Sequence, residues 1–220
     1  MIITEQKPIQ QIIDSLKGYT KIFLVGCGEC AATAKTGGEP ELAEMKALLE
    51  AQGKTVVGMC IPSAPCVASQ IKTEIAKNTK AWREAEAILV LACGLGVQSV
   101  KDNDRLGLVA IPACNTLFGA VMDAQGNFYE KCSLCGECVL DVTGGICPIT
   151  LCAKGLLNGP CGGMNKGKCE VDKDKDCAWV LIYQELEKRK KLDTLKKVQS
   201  PKDYKKGLKP HKMVMTDDKI

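Results

Sequence analysis

The sequence predicts an α/β fold: a Rossmann-like parallel-sheet domain over residues 1–125, a cysteine-rich, loop-dominated cluster-binding domain over 126–182, and a basic C-terminal tail over 183–220. Three observations predict it. Short apolar runs alternate with helical periodicity through the first 125 residues. Eight of the 14 cysteines then fall between Lys131 and Cys177, where glycine content rises and periodicity is lost. Last, eleven Lys or Arg stand against four Asp or Glu from Tyr183 to Lys212, so this stretch carries a local +7 and the rest of the chain about −3.

Taken in order, Ile9, Ile12, Ile13 and Leu16 are spaced as one face of a helix. Lys21 to Gly26 reads as a buried strand, and Glu39 to Ala51 as a helix with Leu42, Met45, Leu48 and Leu49 inward. Lys54 to Met59 is the next strand, followed by a helix over Val67 to Asn78 with Val67, Ile71 and Ile75 on one face. Ala87 to Ala92 and the shorter Gly107 to Ile111 complete four strands. The turn at residues 126–130 marks the domain boundary, and Ala178 to Leu186 starts a helix whose Trp179 packs against the cysteine loops. Beyond it, Pro201, Gly207 and Pro210 among lysines predict an extended tail that orders against a partner.

Several function classes are excluded. The sole histidine, His211, lies in the tail, so there is no two-cysteine, two-histidine zinc finger, no His-Glu-x-x-His protease, no Ser-His-Asp triad and no Rieske centre. The longest apolar run, around Ala87 to Val97, is half the length needed to span a bilayer. Nucleic-acid binding would require aromatic residues among the tail's charges, and Tyr183 and Tyr204 alone do not supply it. Residues 1–20 show no apolar signal core, so the expectation is a cytoplasmic protein, whose grouped cysteines bind metal rather than form disulfides.

The chemistry is carried by sulfur. Gly26-Cys27-Gly28 begins like a dinucleotide fingerprint but lacks its third glycine and its acidic residue, so no nicotinamide or flavin site is predicted. In its place Cys27, Cys30, Cys60, Cys66, Cys93 and Cys114 all follow strands, at the sheet end where ligands of open α/β folds lie. A thioredoxin-like dithiol at Cys27 and Cys30 is the alternative, and Cys60 and Cys114 are equally readable as buried inert thiols. In the second domain, Cys132, Cys135 and Cys138 are separated by two residues each, and a Cys147-Pro148 follows, as in bacterial ferredoxins. With Cys152, Cys161, Cys169 and Cys177 these suffice for two four-thiolate sites: two 4Fe-4S clusters, or one cluster and one zinc. The ferredoxin pattern would place Cys147 in a different group from Cys132, Cys135 and Cys138. Gly144-Gly145 and Gly162-Gly163 would let backbone N–H groups approach the clusters.

The order of these motifs resembles the methylenetetrahydrofolate reductase C-terminal-domain family, the small partner of the flavin-containing reductase. The resemblance rests on Gly26-Cys27-Gly28-Glu29-Cys30, Ala92-Cys93-Gly94-Leu95-Gly96-Val97-Gln98, Cys135-Gly-Glu-Cys138, Thr143-Gly-Gly-Ile-Cys147-Pro148, Asn158-Gly-Pro-Cys161-Gly-Gly163, Cys169-Glu and Cys177-Ala-Trp179. It implies a first site of Cys27, Cys30, Cys66 and Cys93, with Cys60 and Cys114 outside it. It implies two or three 4Fe-4S clusters, with zinc possible at one site. It also implies a non-catalytic, one-carbon (Wood-Ljungdahl) role: electrons passed from ferredoxin or another redox module to the flavin of a TIM-barrel partner. A zinc-stabilised assembly subunit without a redox role is the alternative function.

Overall fold

The computed structural model describes residues 1–214. It opens on a strand that periodicity does not predict, β1 (Ile2–Gln6), before α1 (Ile9–Ser15). Next come β2 (Lys21–Val25), the single-turn α2 (Cys30–Thr33), α3 (Glu39–Ala51) and β3 (Thr55–Cys60). They are followed by α4 (Ala68–Lys77), α5 (Thr79–Glu84), β4 (Ala87–Val90), α6 (Gly94–Asn103) and β5 (Val109–Pro112). The four strands β2 to β5 make one parallel sheet in the order β3-β2-β4-β5. The fold is therefore mixed α/β around a parallel sheet.

Side-chain alternation dresses both faces of that sheet. Ile22, Leu24, Leu89 and Leu91 point to the face covered by α1 and α3, through Ile12, Leu16, Leu42, Met45 and Leu49. Phe23, Val25, Ile88 and Val90 point to the other, where Ile71 of α4, Trp82 of α5 and Val100 of α6 pack. Phe23 and Trp82 rings lie 4.7 Å apart, centroid to centroid. Within α3, Leu48 departs from expectation and is exposed, because Leu42, Met45 and Leu49 already fill the inward stripe. Counted among the parallel strands alone, the order is 2-1-3-4. This is the flavodoxin-like winding, with its crevice between the first and third strands, rather than the 3-2-1-4 order of dinucleotide-binding domains.

The chain divides into two compact units, Met1–Ala120 and a second beginning at Val121. The division falls a few residues before the predicted 126 because the chain continues past β5 in a long strand, β6 (Cys114–Met122). This strand pairs antiparallel with β1 from Gln6↔Cys114 to Ile2↔Gly119. The second unit holds β7 (Phe128–Glu130), α7 (Pro148–Leu151) and α8 (Ala178–Lys188), with single 3-10 turns at Leu192–Lys196 and Tyr204–Gly207. Its described hydrophobic cluster has only four buried residues, Cys177, Trp179, Ile182 and Leu186. The tail makes contacts within its own unit, burying Lys202; its last six residues lie outside those described.

The path from β2 into α3 needs a bare backbone. Any side chain at Gly37 would be driven into the Leu91 carbonyl at the end of the central sheet. Gly37→Ala should therefore cost the first unit about 2–3 kcal/mol by overpacking, read as a lowered urea midpoint; an unchanged midpoint would contradict this packing.

Candidate metal centres

The carboxyl ends of β2, β3 and β4 deliver the first group of sulfurs. Cys27 follows β2, Cys30 opens α2, Cys66 lies in the loop after β3, and Cys93 caps the start of α6. Val25 at the end of β2 pairs with Cys60 of β3 on one side and Val90 of β4 on the other, so the loops emerge side by side at the crevice. Backbone bonds then fix them. Cys27 N–H donates to the Gly37 carbonyl at 2.9 Å, Gly28 N–H to the Pro62 carbonyl at 2.9 Å, and Ser63 Oγ to Glu29 Oε1 at 2.8 Å. Pro65 packs on the first turn of α6, where Gly96 alone fits: a Cβ there would stand 3.1 Å from the proline ring.

These constraints bring Cys66 into the field of Cys93, Cys27 and Cys30. Its thiol is pushed above the usual cysteine range, first by partial loss of water, then by Cys93, with smaller contributions from Cys27 and Cys30. A thiol that resists ionising beside other sulfurs is in an electrostatic environment a cation would relieve. The dithiol reading is weakened by the same geometry, since Cys27 and Cys30 have two further sulfurs as neighbours.

Cys60 and Cys114 sit in the hydrophobic core, Cys114 within the field of Cys93. Both are buried, and desolvation pushes each thiol up to about 12, helped at Cys60 by the Glu74 carboxylate. Cys114 packs in the core and donates its thiol to the Thr36 carbonyl at 3.6 Å. Such thiols are poor ligands and poor nucleophiles.

In the cysteine-rich unit four sulfurs share one cavity and two more meet the field of one lysine. Cys152, Cys161, Cys169 and Cys177 line one small cavity of about 20 Å³, together with Met164 and Trp179. Trp179 is buried there as expected, its indole N–H donating to the Leu156 carbonyl at 3.1 Å. Cys169 is held below the usual thiol range by backbone N–H bonds from Asp172 and Val171, with another from Ala153, the residue after Cys152. Hydrogen bonds of this kind favour the thiolate form that metals require.

The other place is organised by Lys202. Its ammonium donates to Cys135 Sγ at 2.9 Å and to the Glu137 carbonyl, and it also feels the charge of Cys147. Cys135 is lowered, chiefly by that lysine. In the same loop Leu134 N–H donates to Cys132 Sγ at 3.4 Å, with Leu134 and Gly136 both at positive φ (56° and 79°). Cys147, at the start of α7, lies within the field of the same lysine and donates its thiol to Thr150 Oγ1 at 3.5 Å. The sequence offers Lys202 only as one of eleven basic tail residues, with no signal that singles it out.

All fourteen cysteines are unpaired, so no disulfide framework forms. Among the described residues, no group of three or more His, Cys, Asp or Glu side chains stands ready to hold a metal ion. The sulfurs are grouped by fold without being closed into a finished site. Also among the described residues, no helix is long and apolar enough to cross a membrane.

The comparison with known families finds a match that falls mostly in the second unit. Residues 111–205 match the family model described as methylene-tetrahydrofolate reductase C terminal. The resemblance read from the motifs is borne out over this stretch, and the family name links the chain to methylenetetrahydrofolate reductase. The match takes in all eight cysteines of the second unit and Lys202, while Cys27, Cys30, Cys66 and Cys93 lie outside it. No curated protein and no solved structure gives a significant match.

The two buried thiols make a pH prediction. Their folded pKa of about 12 lies above the ordinary 9, so the folded chain keeps them neutral while the unfolded chain ionises. Their contribution to stability is complete below pH 9 and is lost as pH rises toward 12. In urea titrations across this window, Cys114→Ala should fall less steeply than wild type, by about one proton's worth of slope; parallel curves would contradict the assignment.

Proposed function

We propose that the chain is the electron-transfer subunit of a methylenetetrahydrofolate reductase complex, built around three groups of four thiolates. The first is Cys27, Cys30, Cys66 and Cys93; the second Cys132, Cys135, Cys138 and Cys147; the third Cys152, Cys161, Cys169 and Cys177. One observation supports the reading: Cys66 lies in the field of Cys93, Cys27 and Cys30, Cys135 and Cys147 both act on Lys202, and Cys152, Cys161, Cys169 and Cys177 line one cavity. In this reading the folate chemistry belongs to the flavin-bearing TIM-barrel partner.

The donor sets fit the groups they would hold. All-thiolate ligation suits 4Fe-4S clusters and structural zinc alike. The third group surrounds a cavity of about 20 Å³, close to the volume of one water-sized probe and suited to a single ion. We assign zinc there and 4Fe-4S clusters to the first two groups. Bound clusters would supply one-electron transfer between ferredoxin, or another redox module, and the partner's flavin. The chain's own residues would hold the thiolates and aim N–H groups at sulfur. We place the protein in the cytoplasm, where unpaired thiols stay reduced until metallated, and in one-carbon metabolism of the Wood-Ljungdahl type.

The test is electron delivery. Anaerobically reduced protein, mixed with the oxidised flavin-containing partner, should bleach the flavin absorbance in a fast phase. Cys66→Ser and Cys135→Ser should each abolish that phase, while Cys60→Ser should leave it intact. A complex that forms but never bleaches the flavin would end the redox reading and leave a zinc-stabilised assembly subunit.

A further inference from the structure

We propose that Lys202 sets the reduction potential of the group formed by Cys132, Cys135, Cys138 and Cys147, delivered to it by a strap that the tail lays across the ligand loop. The proposal rests on the reading of that group as an iron–sulfur site. Lys202 is 7% exposed and is the one charged side chain among the described buried residues. An ammonium taken from water costs several kcal/mol unless partnered, and here its partners are a ligand sulfur at 2.9 Å and the Glu137 carbonyl.

The strap is built to put it there. Asp203 N–H donates to Glu137 Oε2 at 2.7 Å, and Lys206 Nζ stands 3.6 Å from Glu137 Oε1, so both carboxylate oxygens hold the tail. Asp203 also accepts from Lys205 N–H at 3.1 Å, starting the 3-10 turn Tyr204–Gly207. On the loop side, Gly136 leaves the space the strap occupies: a Cβ there would stand 2.8 Å from the Lys206 carbonyl. Loop and strap therefore fit one another, residue against residue, from Cys135 to Glu137 and from Lys202 to Lys206.

The consequence is electrostatic. Reduction adds one negative charge to a thiolate-ligated site, and a fixed positive charge hydrogen-bonded to a ligand sulfur favours the reduced form. The positive charge is fixed by geometry: the ammonium is buried and donates to both Cys135 Sγ and the Glu137 carbonyl. The other cysteine groups are described with no lysine in this relation to a sulfur.

The experiment is a redox titration of the reconstituted full chain, followed by electron paramagnetic resonance. The signal of this group is identified as the one lost in Cys135→Ser. Lys202→Met should lower the potential by at least a tenfold change in the one-electron equilibrium, about 59 mV, at unchanged iron content. Lys202→Arg, which keeps the charge, should recover most of the shift. Unchanged potential in Lys202→Met with iron intact would overturn the proposal; no iron in the wild-type group would overturn the underlying reading instead. A wild-type measurement covers the case in which Lys202→Met cannot assemble its cluster. With 15N placed at lysine Nζ, hyperfine spectra of the reduced group should show a weakly coupled 15N, and its absence would equally overturn the proposal.

Discussion

The second unit has too little apolar material to hold its own loops. Four buried residues around Trp179 and Ile182 serve it, against thirteen and twelve in the two clusters that sandwich the parallel sheet. Chains in this position use cross-links, and with every cysteine unpaired we propose that metal–thiolate bonds supply them. The remaining architecture of the unit follows from that need. Positive-φ residues bend its loops, backbone N–H groups turn toward Cys132 and Cys169, and a buried lysine neutralises Cys135.

The first unit solves the opposite problem. Its sheet is fully cored, so its loops are free to carry function at the carboxyl ends of the strands. The winding opens a crevice between β2 and β4, where related folds bind a nucleotide through a glycine-rich turn. Here the corresponding turn is closed against neighbouring loops by Cys27 N–H to Gly37 and Gly28 N–H to Pro62. Those backbone donors are spent on protein, which leaves sulfur as the chemistry the crevice presents.

Much of this was legible in the sequence, for physical reasons. The helix α3 reads correctly from Glu39 to Ala51 because its start is written locally: Pro40 lies in the first turn and the Glu41 carboxylate accepts Gly38 N–H at 2.8 Å. The parallel strands are legible as apolar runs because both their faces are buried. β1 and β6 escape because each makes sense only beside the other, a pairing of Gln6 with Cys114 that no local window contains. Cysteine spacing is the ground for proposing metal chemistry, yet the partition of eight sulfurs depends on how loops fold back. Lys202 meets Cys135 across sixty-seven positions of sequence, and nothing near either residue announces it.

The central claim is that thiolate-bound metal both finishes the fold and moves electrons. It is tested most directly by iron, acid-labile sulfide and zinc per chain, on one anaerobic preparation of the partner-bound complex with partner-only material as baseline. The account predicts about eight iron, about eight sulfide and about one zinc, from two four-iron groups and one four-thiolate ion. Zinc without sulfide would contradict it, leaving a metal-stapled scaffold in place of an electron carrier.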